Sequence, residues 1–195
     1  MANSETDGVS VGALVKEAAD LNEAGRSSEA FLKACEALRE TIVKISGSDD
    51  PRLPELRNVI DEHWELIRFM SFPGIDSPYV DLPIVIREIS LNPRRQYTTK
   101  EIVLHLVSQS LRLGLMPEGF GFTSAIHFEK KGESLLIPVT LISGLLAFSV
   151  VHPVNKSEEV PDKYWISISD FKMFISEFWG RMDLALRIRK FYLDR

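Results

Sequence analysis

A chain of 195 residues can bury a sizeable core, as one domain or as two small ones. Its 45% apolar and 26% charged content is ordinary for a folded globular protein and excludes long disorder. The net charge of −5 is unevenly spread, with 14 acids against 8 bases over residues 1–70 and 5 against 7 over residues 161–195. An acidic front half argues against general nucleic-acid binding, which needs Lys and Arg gathered against phosphates. The basic tail of Arg181, Arg187, Arg189, Lys190 and Arg195 is the smaller exception, read as a solvated face.

Cys35 is the only cysteine, which rules out an internal disulfide and a cysteine zinc site and favours a reducing compartment. It falls on the apolar face of a helix and is expected to be an inert core residue. The polar, acidic segment Met1 to Gly8 lacks the basic and apolar regions of a secretory signal, so a cytoplasmic location is expected.

In chain order, residues 1–9 read as a disordered tail. Ser10 is placed to cap a first helix whose apolar face is Leu14, Val15, Ala18 and Leu21, with Gly25 ending it in a left-handed conformation. Ser27 or Ser28 then caps a second helix, on which Phe31, Cys35, Leu38, Ile42 and Ile45 form one stripe as far as Gly47. A third helix starts around Pro54, with Leu53, Leu56, Ile60, His63, Ile67 and Met70 at alternating steps of three and four. Pro73 to Pro78 reads as a boundary, and Val80 to Leu91 fits either an edge strand or a short helix.

Thr98 and Glu101 have capping-box spacing, which predicts a buried helix to about Leu113, closed by Gly114. Three strands should follow as an antiparallel meander, Thr123–Glu129, Leu135–Ile142 and Leu145–Val151, with turns at 130–133 and at Ser143-Gly144. The uncharged run Leu135 to Val151 reaches the lower length of a membrane span. Pro138, the Ser143-Gly144 pair and many β-branched residues make two buried strands the better reading, so no membrane association is expected. Tyr164 to Ile168 is a fourth strand. Ser169 or Asp170 then caps a last helix with Phe171, Phe174, Ile175, Phe178, Met182, Ala185 and Leu186 on its stripe, bent at Gly180. The expected class is α+β: a helical segment at 10–72, as a three-helix bundle or hairpin, then an α-β-β-β-β-α antiparallel-sheet domain at 79–195.

Three resemblances follow. The run Leu21-Asn22-Glu23-Ala24-Gly25-Arg26-Ser27-Ser28-Glu29-Ala30, with Glu36-Ala37-Leu38 later, resembles a tetratricopeptide unit over residues 11–46. That implies a surface that binds protein and does no chemistry. The predicted order of the second half looks like the fold of type III secretion chaperones and related adaptor domains, an analogy of element order alone. Arg57-Asn58-Val59-Ile60-Asp61-Glu62-His63 resembles the motif of the HEPN superfamily, many members of which are metal-independent ribonucleases. There His moves a proton and Arg grips the scissile phosphate. On a straight helix, however, six steps leave two side chains about 120° and about 9 Å apart.

His63, His105, His127 and His152 have no paired metal-ligand spacing, and Gly119-Phe120-Gly121 lacks the rest of a dinucleotide loop. The leading expectation is a non-enzymatic adaptor or chaperone-like module. It would bind a partner protein through the hairpin groove or the C-terminal sheet, without cofactor or metal, and homo-oligomer formation stays open. The alternative is an RNA-cleaving enzyme centred on Arg57, Asn58 and His63, the one reading that calls for nucleic acid.

Overall fold

A computed structural model describes residues 9–48, 51–72, 97–168 and 171–193. The expected boundary at 73–78, the ambiguous segment 80–91, residues 1–8 of the tail and the expected caps Ser169 and Asp170 lie outside the described residues.

Local signals set the first four helices. Helix α1 (Val11–Glu23) starts at Ser10, whose hydroxyl accepts the Ala13 N–H at 3.1 Å, and its chain turns back at Gly25 with φ +74°. Helix α2 (Ser27–Ser46) ends at the left-handed Gly47. Its N-cap is Arg26, not Ser27 or Ser28, and no side chain caps it; the Arg26 guanidinium pairs with Glu29 across the first turn. Helix α3 (Leu53–Ser71) carries proline in its first turn, and α4 (Thr99–Leu113) has the full Thr98–Glu101 capping box and a left-handed Gly114 at its end.

The α+β class holds in the second half, but its order differs from the expected one. Strands β1 (Phe120–Thr123), β2 (Glu129–Lys131) and β3 (Ser134–Pro138) form a sheet in the order β1-β3-β2. The β2–β3 hairpin is antiparallel, as its turn at Gly132 predicts. The expected strand Thr123–Glu129, in contrast, is not formed: only its two end residues are in strands, Thr123 in β1 and Glu129 in β2. Strand β1 runs parallel to β3, which breaks the expected meander. The expected strand Leu145–Val151 is instead part of helix α5 (Thr140–Val151). Pro138 ends the β3 strand, and the apolar run beyond it coils into a helix that is buried almost all round. Gly144 is a contact residue and not a turn: it lies against Ser71 of α3, where a methyl would sit 2.8 Å from the Ser71 Cα.

The 3₁₀ turn Pro153–Asn155 leads to a two-stranded antiparallel ribbon, β4 (Trp165–Ile168) and β5 (Phe171–Phe174). The expected long final helix is thus a strand, one turn of helix α6 (Ile175–Phe178), and helix α7 (Met182–Leu193), with Gly180 at φ +68° separating the helices. Residues 171–175 satisfy both periods, and pairing with β4 decides for the strand.

Helix α5 is the centre of the molecule, packed on α1, α2, α3 and β4. One apolar cluster therefore joins the 10–72 and 79–195 segments, from Val11 and Phe31 through Ile60 and Ile67 to Phe148 and Ile175. Polar bonds reinforce this join. Buried Asn155 donates to the Thr41 hydroxyl and to the Ser149 carbonyl, each at 2.8 Å, and accepts from Lys44 at 3.1 Å. Glu158 accepts the Gly12 N–H at 2.7 Å and pairs with Lys44, so a distant carboxylate satisfies the first turn of α1. No described helix is long and apolar enough to cross a membrane.

Candidate functional site

Arg57 and Asn58 lie exposed on α3, while His63 turns inward and its side chain is only 20% exposed. Because α3 runs unbroken from Leu53 to Ser71, the separation of about 9 Å and about 120° stands, and the fold does not bring these residues together. The His63 ring packs 5.2 Å from Phe148 and 5.6 Å from His152. His152 in turn accepts the Val154 N–H on Nδ1 at 3.3 Å. His105 packs on Phe120 of β1, and His127 is exposed beside Glu129. Among the described residues, no three His, Cys, Asp or Glu gather as a metal site. Cys35 is fully buried, and burial pushes its thiol well above the usual value.

Burial holds the His152 imidazole below its usual value of 6.5; His63 adds to this and Glu62 opposes it. Burial alone lowers His105. For both, the unfolded chain binds protons more readily than the folded one. Their contribution to stability is full above the unfolded value and is lost as pH falls from there toward the folded value. Proton NMR should place both titration midpoints below 6.5, and a His152 midpoint at or above 6.5 would refute the assignment.

In the α1–α2 hairpin, Leu14, Val15, Ala18, Phe31, Ala34 and Leu38 are buried, and α5 packs on both helices. The basic tail is partly answered by acids, Arg189 bonding to Glu65 at 3.0 Å and Arg181 to Asp183 at 3.3 Å.

Open surface with a defined shape occurs at the β4–β5 ribbon. The pleat sends Ile166 and Met173 into the core and leaves Trp165 and Phe174, directly opposite each other, each 44% exposed on the outer face. The Lys172 ammonium lies 4.2 Å from the centre of the Trp165 ring. Beside this pair is a cavity of about 470 Å³, bounded by the end of α1, the start of α5 and β4. Four successive residues, Lys163 to Ile166, line it. Trp165 and Ile166, the two of these that belong to β4, send their side chains to opposite faces, so the cavity meets the strand edge. Tyr164, buried, closes one wall by donating its hydroxyl to Asp20 at 2.8 Å. Asp20 also accepts from Lys16 at 2.8 Å, and these two bonds, the lysine's first, hold its carboxyl below the usual range.

The backbone of this strand has a defined direction. The Ile175 N–H donates to the Tyr164 carbonyl at 3.1 Å, which makes Tyr164 and, by antiparallel alternation, Ile166 the residues that bond to β5. The Trp165 N–H and C=O then point away from β5. Sequence reasoning found β4, expected at Tyr164 to Ile168, and missed its partner β5 because Phe171 to Phe178 also fits a helix. The alternation of exposed Lys172 and Phe174 with buried Met173 and Ile175 is the signal that marks it. A second cavity, about 340 Å³, lies between α2, α3 and α4, with Arg39, Arg52 and Arg112 around Ile42, Leu56 and Leu111.

No solved structure matches this chain significantly. It is similar to Uncharacterized protein Rv1289 of Mycobacterium tuberculosis and Uncharacterized protein Mb1320 of Mycobacterium bovis, each 27% identical over 168 residues, covering 79% of this chain and 75% of the relative. A family model described as Rv1289 matches residues 10–192, and on that extent the chain belongs to the Rv1289 family.

Proposed function

We propose that this protein is a non-enzymatic interaction module of the cytoplasm that binds a partner protein through the outer face of the β4–β5 ribbon. The observation that carries this reading is the pair Trp165 and Phe174, two large aromatics side by side, exposed, and next to a shaped groove. Exposed aromatics at the rim of a groove supply contact area at low entropic cost and are typical anchors of protein interfaces. Of the two expected surfaces, the burial of the hairpin's apolar stripe supports the sheet.

The test is native purification of the full chain beside a Trp165→Ser, Phe174→Ser double variant. Both positions are on the surface, so the fold should persist. A stoichiometric partner is expected with the native protein and absent from the variant; a native protein that holds no partner under mild conditions would overturn the reading. RNA incubated with the protein in chelator is expected to stay intact. Cleavage lost in Arg57→Ala and His63→Ala variants would favour the ribonuclease reading instead.

A further inference from the structure

Among the described residues, the Trp165 N–H and C=O on the β4 edge have no hydrogen-bond partner. In the two-stranded order β4-β5, the strand β4 has one neighbour among the described residues. Alternation turns the Trp165 N–H and C=O to the opposite side, where the cavity runs. A free edge with a groove alongside is the geometry that accepts an added strand, in which main-chain bonds give affinity and alternate side chains give specificity.

The groove also has a charge preference. Helix α1 ends at it with Asp20 and Glu23 and has no base in its last turn, so its carbonyl end and two carboxylates gather negative potential. Lys16 and Lys163 both answer Asp20, which leaves Glu23 as the carboxylate with no ion-pair partner among the described residues. Lys163, the one base among the described residues of the lining, lies over the Tyr164 ring at 5.3 Å.

We propose that an extended segment of a partner polypeptide docks as an added strand along β4, with a Lys or Arg side chain in the acidic corner at Glu23. The inference rests on the interaction reading above and specifies its mode. Random dodecapeptides displayed on phage and selected on the full chain provide the probe. Selected peptides are expected to alternate apolar and polar residues and to carry a Lys or Arg.

Trp165→Pro removes the N–H that faces the groove and spares the bonds to β5; Trp165→Val keeps that N–H. Binding should be at least about tenfold weaker in the proline variant than in the valine variant. Glu23→Lys should cause a similar loss. Because the proline variant can misfold, selected peptides are also made with N-methyl groups on alternate amides. One of the two registers should lose at least about tenfold on the unaltered protein.

No enrichment on the native chain, equal binding to the proline and valine variants, indifference to Glu23→Lys, or indifference to both methylation registers would overturn strand addition. A natural partner kept by a folded Trp165→Pro protein but lost from the serine double variant would overturn it and leave the interaction reading standing. A native dimer undone by Trp165→Pro would assign the edge to a second copy and equally overturn the proposal.

Discussion

Gly144→Ala is expected to destabilise the protein by about 3 kcal/mol, although alanine is the better helix former by about 1 kcal/mol. Gly144 has no positive φ to explain it, so the cause is contact alone. A Cβ there would overlap the Ser71 hydroxyl and come within 2.8 Å of both the Cα and the Cβ of Ser71. Separating the two helices locally to admit it would also break the bond that Thr140, one turn earlier, donates to the Ser71 carbonyl at 2.5 Å. Urea unfolding measures the loss. Ser71→Gly in the same chain should recover part of it, since it removes the hydroxyl and Cβ and leaves the Cα. An unchanged or higher midpoint in Gly144→Ala would show that α3 and α5 do not cross this closely.

Phe148→Ala is expected to cost about 3–5 kcal/mol, which for a chain of this size lowers the melting temperature by about 10 °C. The side chain is wholly buried on α5, and the rings of His63 and His152 pack on it at 5.2 and 5.5 Å. Its removal leaves a cavity beside two imidazoles. Water entering there relieves the burial that depresses His152, so the His152 midpoint should rise toward its ordinary value as stability falls. A melting temperature that drops without movement of that midpoint would indicate collapse of the site instead.

Much of the helical half was legible because helix ends are written locally. Ser10, Gly25, Gly47, Thr98 with Glu101, and Gly114 each act within a turn of their own position, and each does what its spacing predicts. Apart from the start of α2, where Arg26 and not Ser27 or Ser28 is the cap, what failed was decided at long range. Residues 140–151 are uniformly apolar, so neither period stands out, and the choice of helix follows from surroundings contributed by α1, α2, α3 and β4. Residues 171–174 fit two periods, and only the register with β4 selects one.

The candidate site was less legible than the fold. Arg57 and His63 attracted notice through a motif, yet a straight helix separates them. The Trp165–Phe174 pair depends on a pairing between strands that no local pattern encodes.

The position of α5 near residue 150 has a consequence for biosynthesis. While the chain is being made, α1, α2 and α3 leave the ribosome before α5, and the surfaces that α5 covers lack it until residues 140–151 have been translated. The Glu158 carboxylate reaches the start of α1 only after that. The nascent chain of this protein therefore passes through a sticky interval, in which the pace of elongation competes with self-association.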